Sequence, residues 1–194
     1  MSEPPELPDV ARKIVGHARG CFPGREVEAL RWQGGGLVEN IAGLRIVRVS
    51  GGAGGGPWTY ISAGASTEAM EDGYGIEVFA VAPGERSEAA KLVSMVAHLH
   101  ADPRYPLSLG QVLEIGHPWL PGASCDHLLV CVPGPFGDDF EWYSDGDATI
   151  RFVWLLPITR PEAELAQREG FQLLQEKLGA AQADVTRLDR ASVV

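Results

Sequence analysis

Four consecutive residues, Ser124-Cys125-Asp126-His127, have the most obvious capacity for chemistry. They include every side-chain type of a nucleophile triad. A working Cys–His pair needs a hydrogen bond between the two and a third group to orient the base. On a strand, Cys125 and His127 share a face and Asp126 points the other way. The flanking Gly122-Ala123-Ser124-Cys125-Asp126 lacks the second glycine of a nucleophile elbow. A hydrolase using Cys125, His127 and Asp126 is thus the alternative reading. The favoured one is a structural corner whose Asp or Ser caps loose backbone amides over a buried Cys125. Metal chemistry is less supported still. His98 and His100 are two apart at a helix end and face different ways. His117 and His127 can converge across a turn, but no H-E-x-x-H or Cys–His ligand spacing accompanies them. The run from Gly51 to Gly56 has the glycine spacing of a phosphate loop, but Pro57-Trp58 stands where Lys and Ser/Thr would be required. It reads as a flexible hairpin loop, and neither a metal nor a cofactor is expected.

Recognition by aromatic side chains is the other chemistry on offer. Trp119 sits between two prolines in the turn His117-Pro118-Trp119-Leu120-Pro121-Gly122. Trp buries a large area with one N–H to satisfy, so it suits a core plug, and it is also enriched at interface anchors. His117, Trp119, Asp126 and His127 together are read as the structural corner. A small-molecule binding module in the concavity around Trp119 and His117 is a further alternative. Trp58-Thr59-Tyr60, beside the glycine run, carries the same ambiguity between core and interface. In Asp138-Asp139-Phe140-Glu141-Trp142-Tyr143-Ser144-Asp145, the aromatics lie among acids on what reads as a loop, which suits an exposed binding edge.

The elements that must position these residues follow from periodicity. Val10, Ile14 and Ala18 share one face of a helix from Asp9 to Arg19, capped by Asp9 and ended by Gly20. Strands are expected over Glu26–Trp32, Gly43–Val49 (one face wet), Trp58–Ser62, Gly75–Ala82, Leu128–Val132 and Ile150–Leu156, the last ended by Pro157. Ala89, Leu92, Val93, Val96 and Leu99 form the stripe of a second helix, capped by Ser87. Thr159-Arg160-Pro161-Glu162 is a capping box opening a final helix that runs to about Leu178. Many strands neighbour each other with no helix between them. That argues an α+β fold, a single layered domain with a mixed, largely antiparallel sheet and packed helices.

The chain has 194 residues, 45% of them hydrophobic, which suits one globular unit. No 18-residue apolar run or secretory signal is present, and three cysteines give no CxxC pair, so a cytoplasmic protein is expected. A net charge of −10 disfavours direct nucleic-acid binding, and no membrane partner is indicated. The placement is uneven. Residues 49–85 and 105–150 contain acids but no Lys or Arg, leaving the remainder slightly positive. Solubility explains this blandly; an acidic surface for a basic partner explains it more sharply.

The stretch YPLSLGQVLEIGHPWLPGASCDHLL from Tyr105, with Phe140–Trp142, Ile150–Thr159, Trp58–Ser66 and Gly73–Pro83, resembles the suppressor-of-fused domain family in its single-domain bacterial form. The resemblance covers roughly residues 28–180. It implies an α/β domain that binds another protein, with no catalytic role attached to the fold. Bacterial members look like immunity proteins that neutralise toxins. The expected organisation is an N-terminal extension with a helix at 1–27, followed by a suppressor-of-fused-like domain at 28–194, in one globular unit. The expected partner is a basic toxin domain, held by Trp58, Tyr60, Asp138, Asp139, Glu141 and Trp142.

Overall fold

The computed structural model describes residues 7–31, 41–67, 73–116, 118 and 122–194. Helix α1 (Asp9–Cys21) is followed by strands β1 (Val27–Arg31), β2 (Arg45–Val49), β3 (Trp58–Ala63) and β4 (Gly75–Ala82). Helix α2 (Ser87–His100) leads to β5 (Val112–Glu114) and β6 (His127–Cys131). A one-turn helix α3 (Asp138–Glu141), β7 (Trp142–Ser144), β8 (Thr149–Ile158), α4 (Arg160–Glu169) and α5 (Phe171–Ala180) complete the chain. The strands form one sheet in the order β1-β2-β3-β4-β8-β6-β5, with β7 pairing β8 off this path. Among the described residues β4–β8 is the one parallel pair; the other pairs are antiparallel. This is the mixed, largely antiparallel α+β architecture read from the sequence.

Both sheet faces are buried, and strand alternation divides the core in two. Ile61, Phe79, Val81, Leu129, Phe152, Trp154 and Leu156 pack with α1, α3, α4 and α5. Tyr60, Val78, Ala80, Leu128, Val130, Val153 and Leu155 pack with α2. Every residue of β4 is buried, as befits a strand with helices on both sides. Its one charged residue, Glu77, is fully buried and accepts from the Ser62 hydroxyl, the Gly64 and Ser66 amides (2.8 and 3.0 Å) and the Ser66 hydroxyl (2.7 Å). These donors replace the water the carboxylate loses, and they fix the turn at Gly64–Thr67.

Several local expectations change. Asp9 lies inside α1 and Pro8 takes the cap position; Ser87 likewise starts α2 without capping it. Strand β2 has no wet face: Arg45 is buried, donating to the Gly43 and Leu44 carbonyls. The glycine run does join β2 to β3 as a hairpin, closed by Gly56 N–H to Gly51 O at 2.9 Å. Pro157 sits within β8 rather than ending it. The capping box on Thr159 and Glu162 forms, but Gly170, at φ 96°, splits the final helix into α4 and α5. The acidic aromatic segment is not a plain loop, since α3 and β7 give it regular structure.

Candidate functional site

The corner at residues 122–127 is tied to the C-terminal segment. The Ser124 amide donates to the Leu188 carbonyl at 2.8 Å, and its hydroxyl to the carbonyls of Leu188 (3.2 Å) and Arg190 (2.7 Å). Arg190 is locked in turn by Glu162, which is fully buried; its Nη2 lies 2.8 Å from Oε2. Burial works against the Glu162 carboxylate, but hydrogen bonds from Arg190 and the Thr159 and Val193 amides outweigh it and hold its pKa below the usual value. Cys125 has no exposed surface, and burial pushes its thiol up to about 11. An activated thiolate needs the opposite shift. No hydrogen bond joins Cys125 to His127 among the described residues. His127 instead donates from Nδ1 to Asp126 at 2.7 Å, and Asp126 also takes Arg160 at 3.1 Å. Burial would raise the Asp126 pKa, yet these two bonds keep it below the ordinary carboxylate value. His117 and Trp119 lie outside the described residues, so the rest of the expected corner, and the small-molecule concavity around them, do too.

The turn at Asp138–Asp147 is built differently. Phe140 anchors it, packed against Phe22, Phe79, Phe136, Phe152 and the ring of His17. Because Phe140 points inwards, its neighbours Asp138 and Asp139 face solvent, and neither makes an ion pair among the described residues. Trp142 is 39% exposed, yet held on both sides. The Arg151 guanidinium lies 4.9 Å from its ring centroid and Tyr74 stands edge-on at 5.2 Å. Arg151 is aimed by Glu141, whose Oε1 accepts from Nε (2.9 Å) and Nη2 (2.6 Å). Asp145 is taken by Lys13 at 2.8 Å, which, with the Ala148 and Asp147 amides, holds its pKa well below the carboxylate range. Cations from α1 and β8 therefore fold onto a segment that has none of its own. The acidic face is interrupted, and Glu141 and Asp145 are spent internally.

The other half of the expected interface does not join this one. Tyr60 is 1% exposed, under α2, and its hydroxyl accepts from the Arg86 amide at 2.6 Å, so it cannot meet a partner. Trp58 is half-buried with Arg48 5.3 Å over its ring. Strand register separates the two ends. Trp58 pairs Ala82 near the end of β4, whereas Trp142 pairs Arg151, which pairs Ile76 near its start. Six residues of strand span about 20 Å. A further patch escaped the sequence reading. Met95, Leu99 and Tyr105, each at least 36% exposed, surround a cavity of about 420 Å3 floored by Leu113, Ile115 and Leu128. Met95 and Leu99 share a stripe of α2 with core residues, and nothing in spacing marked that end of the stripe as uncovered. Among the described residues no His/Cys/Asp/Glu group is arranged to hold a metal, and no helix is long and apolar enough to cross a membrane.

A family model described as suppressor of fused protein (SUFU) matches residues 40–191. The chain belongs to the suppressor of fused family. A crystal structure of a Neisseria gonorrhoeae homologue of suppressor of fused superposes with a TM-score of 0.83 at 28% identity, covering 96% of this chain and 97% of that one. The Sufu–Fu complex gives 0.67 at 16% identity over 97% and 93%. Drosophila Suppressor of Fused gives 0.70 at 15% over 96% of this chain and 52% of its own, so this chain spans about half of that protein. No curated protein sequence matches. The two more distant structures share the suppressor-of-fused fold, and the Neisseria alignment includes nearly the whole chain. Helix α1, upstream of the family match, contributes Ala11, Ile14, Val15 and Ala18 to the core.

Proposed function

We propose that this chain is a non-enzymatic, cytoplasmic protein-binding domain, an immunity or regulatory protein that neutralises a basic partner such as a toxin domain. Its contact surface is the Asp138–Trp142 turn. The observation that carries this reading is an exposed indole held by Arg151 and Tyr74 beside two exposed carboxylates that no cation engages among the described residues. A Trp with its rotamer already fixed loses little entropy on binding, and carboxylates at its rim steer a basic surface towards it. Membership of the suppressor of fused family, one of whose structures is a Sufu–Fu complex, supports protein binding as the general role. The buried, upward-shifted Cys125 thiol speaks against the hydrolase alternative.

The test uses the protein encoded beside this gene as partner. Reversing Asp138 and Asp139 to Lys should slow association, with the loss shrinking as salt rises, because rim charges act over a Debye length of about 8–10 Å. Trp142→Ala should act on dissociation, costing about 2 kcal/mol or more if the indole is an anchor. Should all three changes leave both rate constants and the protection of cells unaltered, this surface is a solvated face and the assignment fails.

A further inference from the structure

Strands β1 and β2 run antiparallel at one edge of the sheet, with Glu28 directly opposite Arg48 and Arg31 directly opposite Arg45. Opposite residues point to the same face with Cα atoms about 4.5–5.5 Å apart, so their side chains interact. At Glu28 and Arg48 the charges are complementary and form an ion pair of 2.7 Å. Three residues further along the same two strands, arginine meets arginine. Like charges placed this way repel each other.

A second observation concerns Arg45 itself. It is 7% exposed, and a buried charge is ordinarily matched by an opposite one. The other buried arginine among the described residues, Arg190, has Glu162. Arg45 has no ion pair among the described residues. Its Nη1 donates to the Gly43 and Leu44 carbonyls at 2.7 and 3.2 Å, and no hydrogen bond engages Nε or Nη2. The unpaired side-chain atoms sealed from solvent are Thr59 Oγ1, Trp154 Nε1 and Arg190 Nε. The two free nitrogens of Arg45 are not among them, so an ion can reach them from outside.

The surroundings offer no acid. Arg31 is exposed and also has no ion pair among the described residues. Pro8, at the start of α1, packs beside Gly43, but the acid that follows it, Asp9, is taken by Arg12 and Lys13. Burial, and then the charge of Arg31, lower the Arg45 pKa from its ordinary value, yet a guanidinium stays charged at neutral pH. In a chain whose net charge is −10, two cations thus face each other with no carboxylate between them.

We propose that Arg31 and Arg45 form a binding site for a phosphate group, held between the two guanidiniums. The planar fork of each guanidinium suits an oxyanion. A doubly charged phosphate balances both cations, whereas a carboxylate leaves one unmatched. The site lies at the β1–β2 edge, away from Trp142 on β7, and does not depend on the partner surface proposed above. The test titrates inorganic phosphate, phenyl phosphate and benzoate by calorimetry at constant ionic strength, and follows the Arg45 Nε–H resonance, assigned by its loss in Arg45→Lys. Both phosphates should bind and shift that resonance saturably, and the tighter of the two tells a free ion from a monoester. Benzoate should bind roughly tenfold or more weakly than phenyl phosphate. Arg31→Gln should weaken both phosphates by a similar factor. Arg31→Glu should abolish their binding and raise the melting temperature in phosphate-free buffer, because it places an acid opposite Arg45. No saturable shift, equal affinity for benzoate and phenyl phosphate, or unaltered phosphate binding in Arg31→Gln would overturn the proposal. Calorimetry on the unaltered chain and on the exposed-site variants Arg31→Gln and Arg31→Glu decides the matter even where Arg45→Lys fails to fold.

Discussion

At the corner of residues 122–127 the hydrogen-bonding side chains are engaged from within the chain. Ser124 holds the C-terminal carbonyls, Asp126 takes His127 and Arg160, and Cys125 is sealed. At the Asp138–Trp142 turn, two carboxylates and an indole face outwards, and the internal partners present, Arg151 and Tyr74, orient the indole without covering it. By residue type the corner is the richer in reactive groups. The comparison separates reactive composition from availability: the corner's groups are spent inside the chain, whereas the turn presents its bonding capacity outwards on an ordered support.

The comparison is broken most severely at Arg190. It reaches the corner through its backbone carbonyl and Glu162 through its guanidinium, so removing the guanidinium strands a fully buried carboxylate. Arg190→Met should cost about 3–5 kcal/mol in urea unfolding, whereas Arg190→Met with Glu162→Leu should recover much of that loss. Equal losses in the single and double variants would mean that the strap is held by apolar contacts such as Leu188 and not by the pair. Trp142 should show no such dependence. Trp142→Ala loses the Arg151 contact and part of Tyr74's packing, so its effect on stability should stay near 0.5–1 kcal/mol, well under its effect on the partner. Ser124→Ala should cost about 0.5–1.5 kcal/mol, because the Leu188 and Arg190 carbonyls lose a part-buried hydroxyl donor.

The sequence made the sheet legible wherever apolar alternation or turn chemistry was strong. Phe152 to Leu156 read as a central strand, the glycine run as a hairpin, and Thr159 to Glu162 as a capping box. It could not reveal that Glu162 also anchors residues 28 positions later, since nothing local to Arg190 distinguishes it from a surface arginine. The internal partners of Glu141 and Asp145 were hidden for the same reason. Counting charges by segment treats sequence neighbours as spatial ones, and Lys13 and Arg151 arrive from α1 and β8 to neutralise Asp145 and Glu141. Tyr60 was misplaced because a strand covered on both faces gives no alternation to separate a core tyrosine from an exposed one.

The finest test of the comparison is pH, through His17. This ring lies beneath the exposed turn. It is stacked on Phe152 at 5.0 Å and Phe140 at 6.0 Å, and its Nε2 donates to the Phe140 carbonyl at 3.3 Å. Burial lowers its pKa from the ordinary 6.5, and the carbonyl bond and the nearby Asp139 only partly offset this. In the unfolded chain His17 takes up a proton near pH 6.5, while the folded ring resists it. The unfolded state therefore binds more protons just below that pH, and stability must fall as pH drops from 6.5 towards the lower folded value, then level off. His100, also lowered by burial, adds to the same window at the end of α2, so the wild-type slope alone does not isolate the turn. The difference between wild type and His17→Phe does. The variant should lose part of the slope between pH 6.5 and 5 and keep what His100 contributes. At the corner, Glu162, held below its ordinary value, adds a loss of stability below about 4.5, where it protonates in the unfolded chain. Amide exchange at Phe140 and Glu141, followed from pH 7 to 5, separates the two regions. Protection should fall there first, with Ser124 and Cys125 unchanged until the carboxylate window. Loss of protection at Ser124 in step with Phe140 would show that the two regions unfold as one unit, and the contrast between them would then be one of exposure alone.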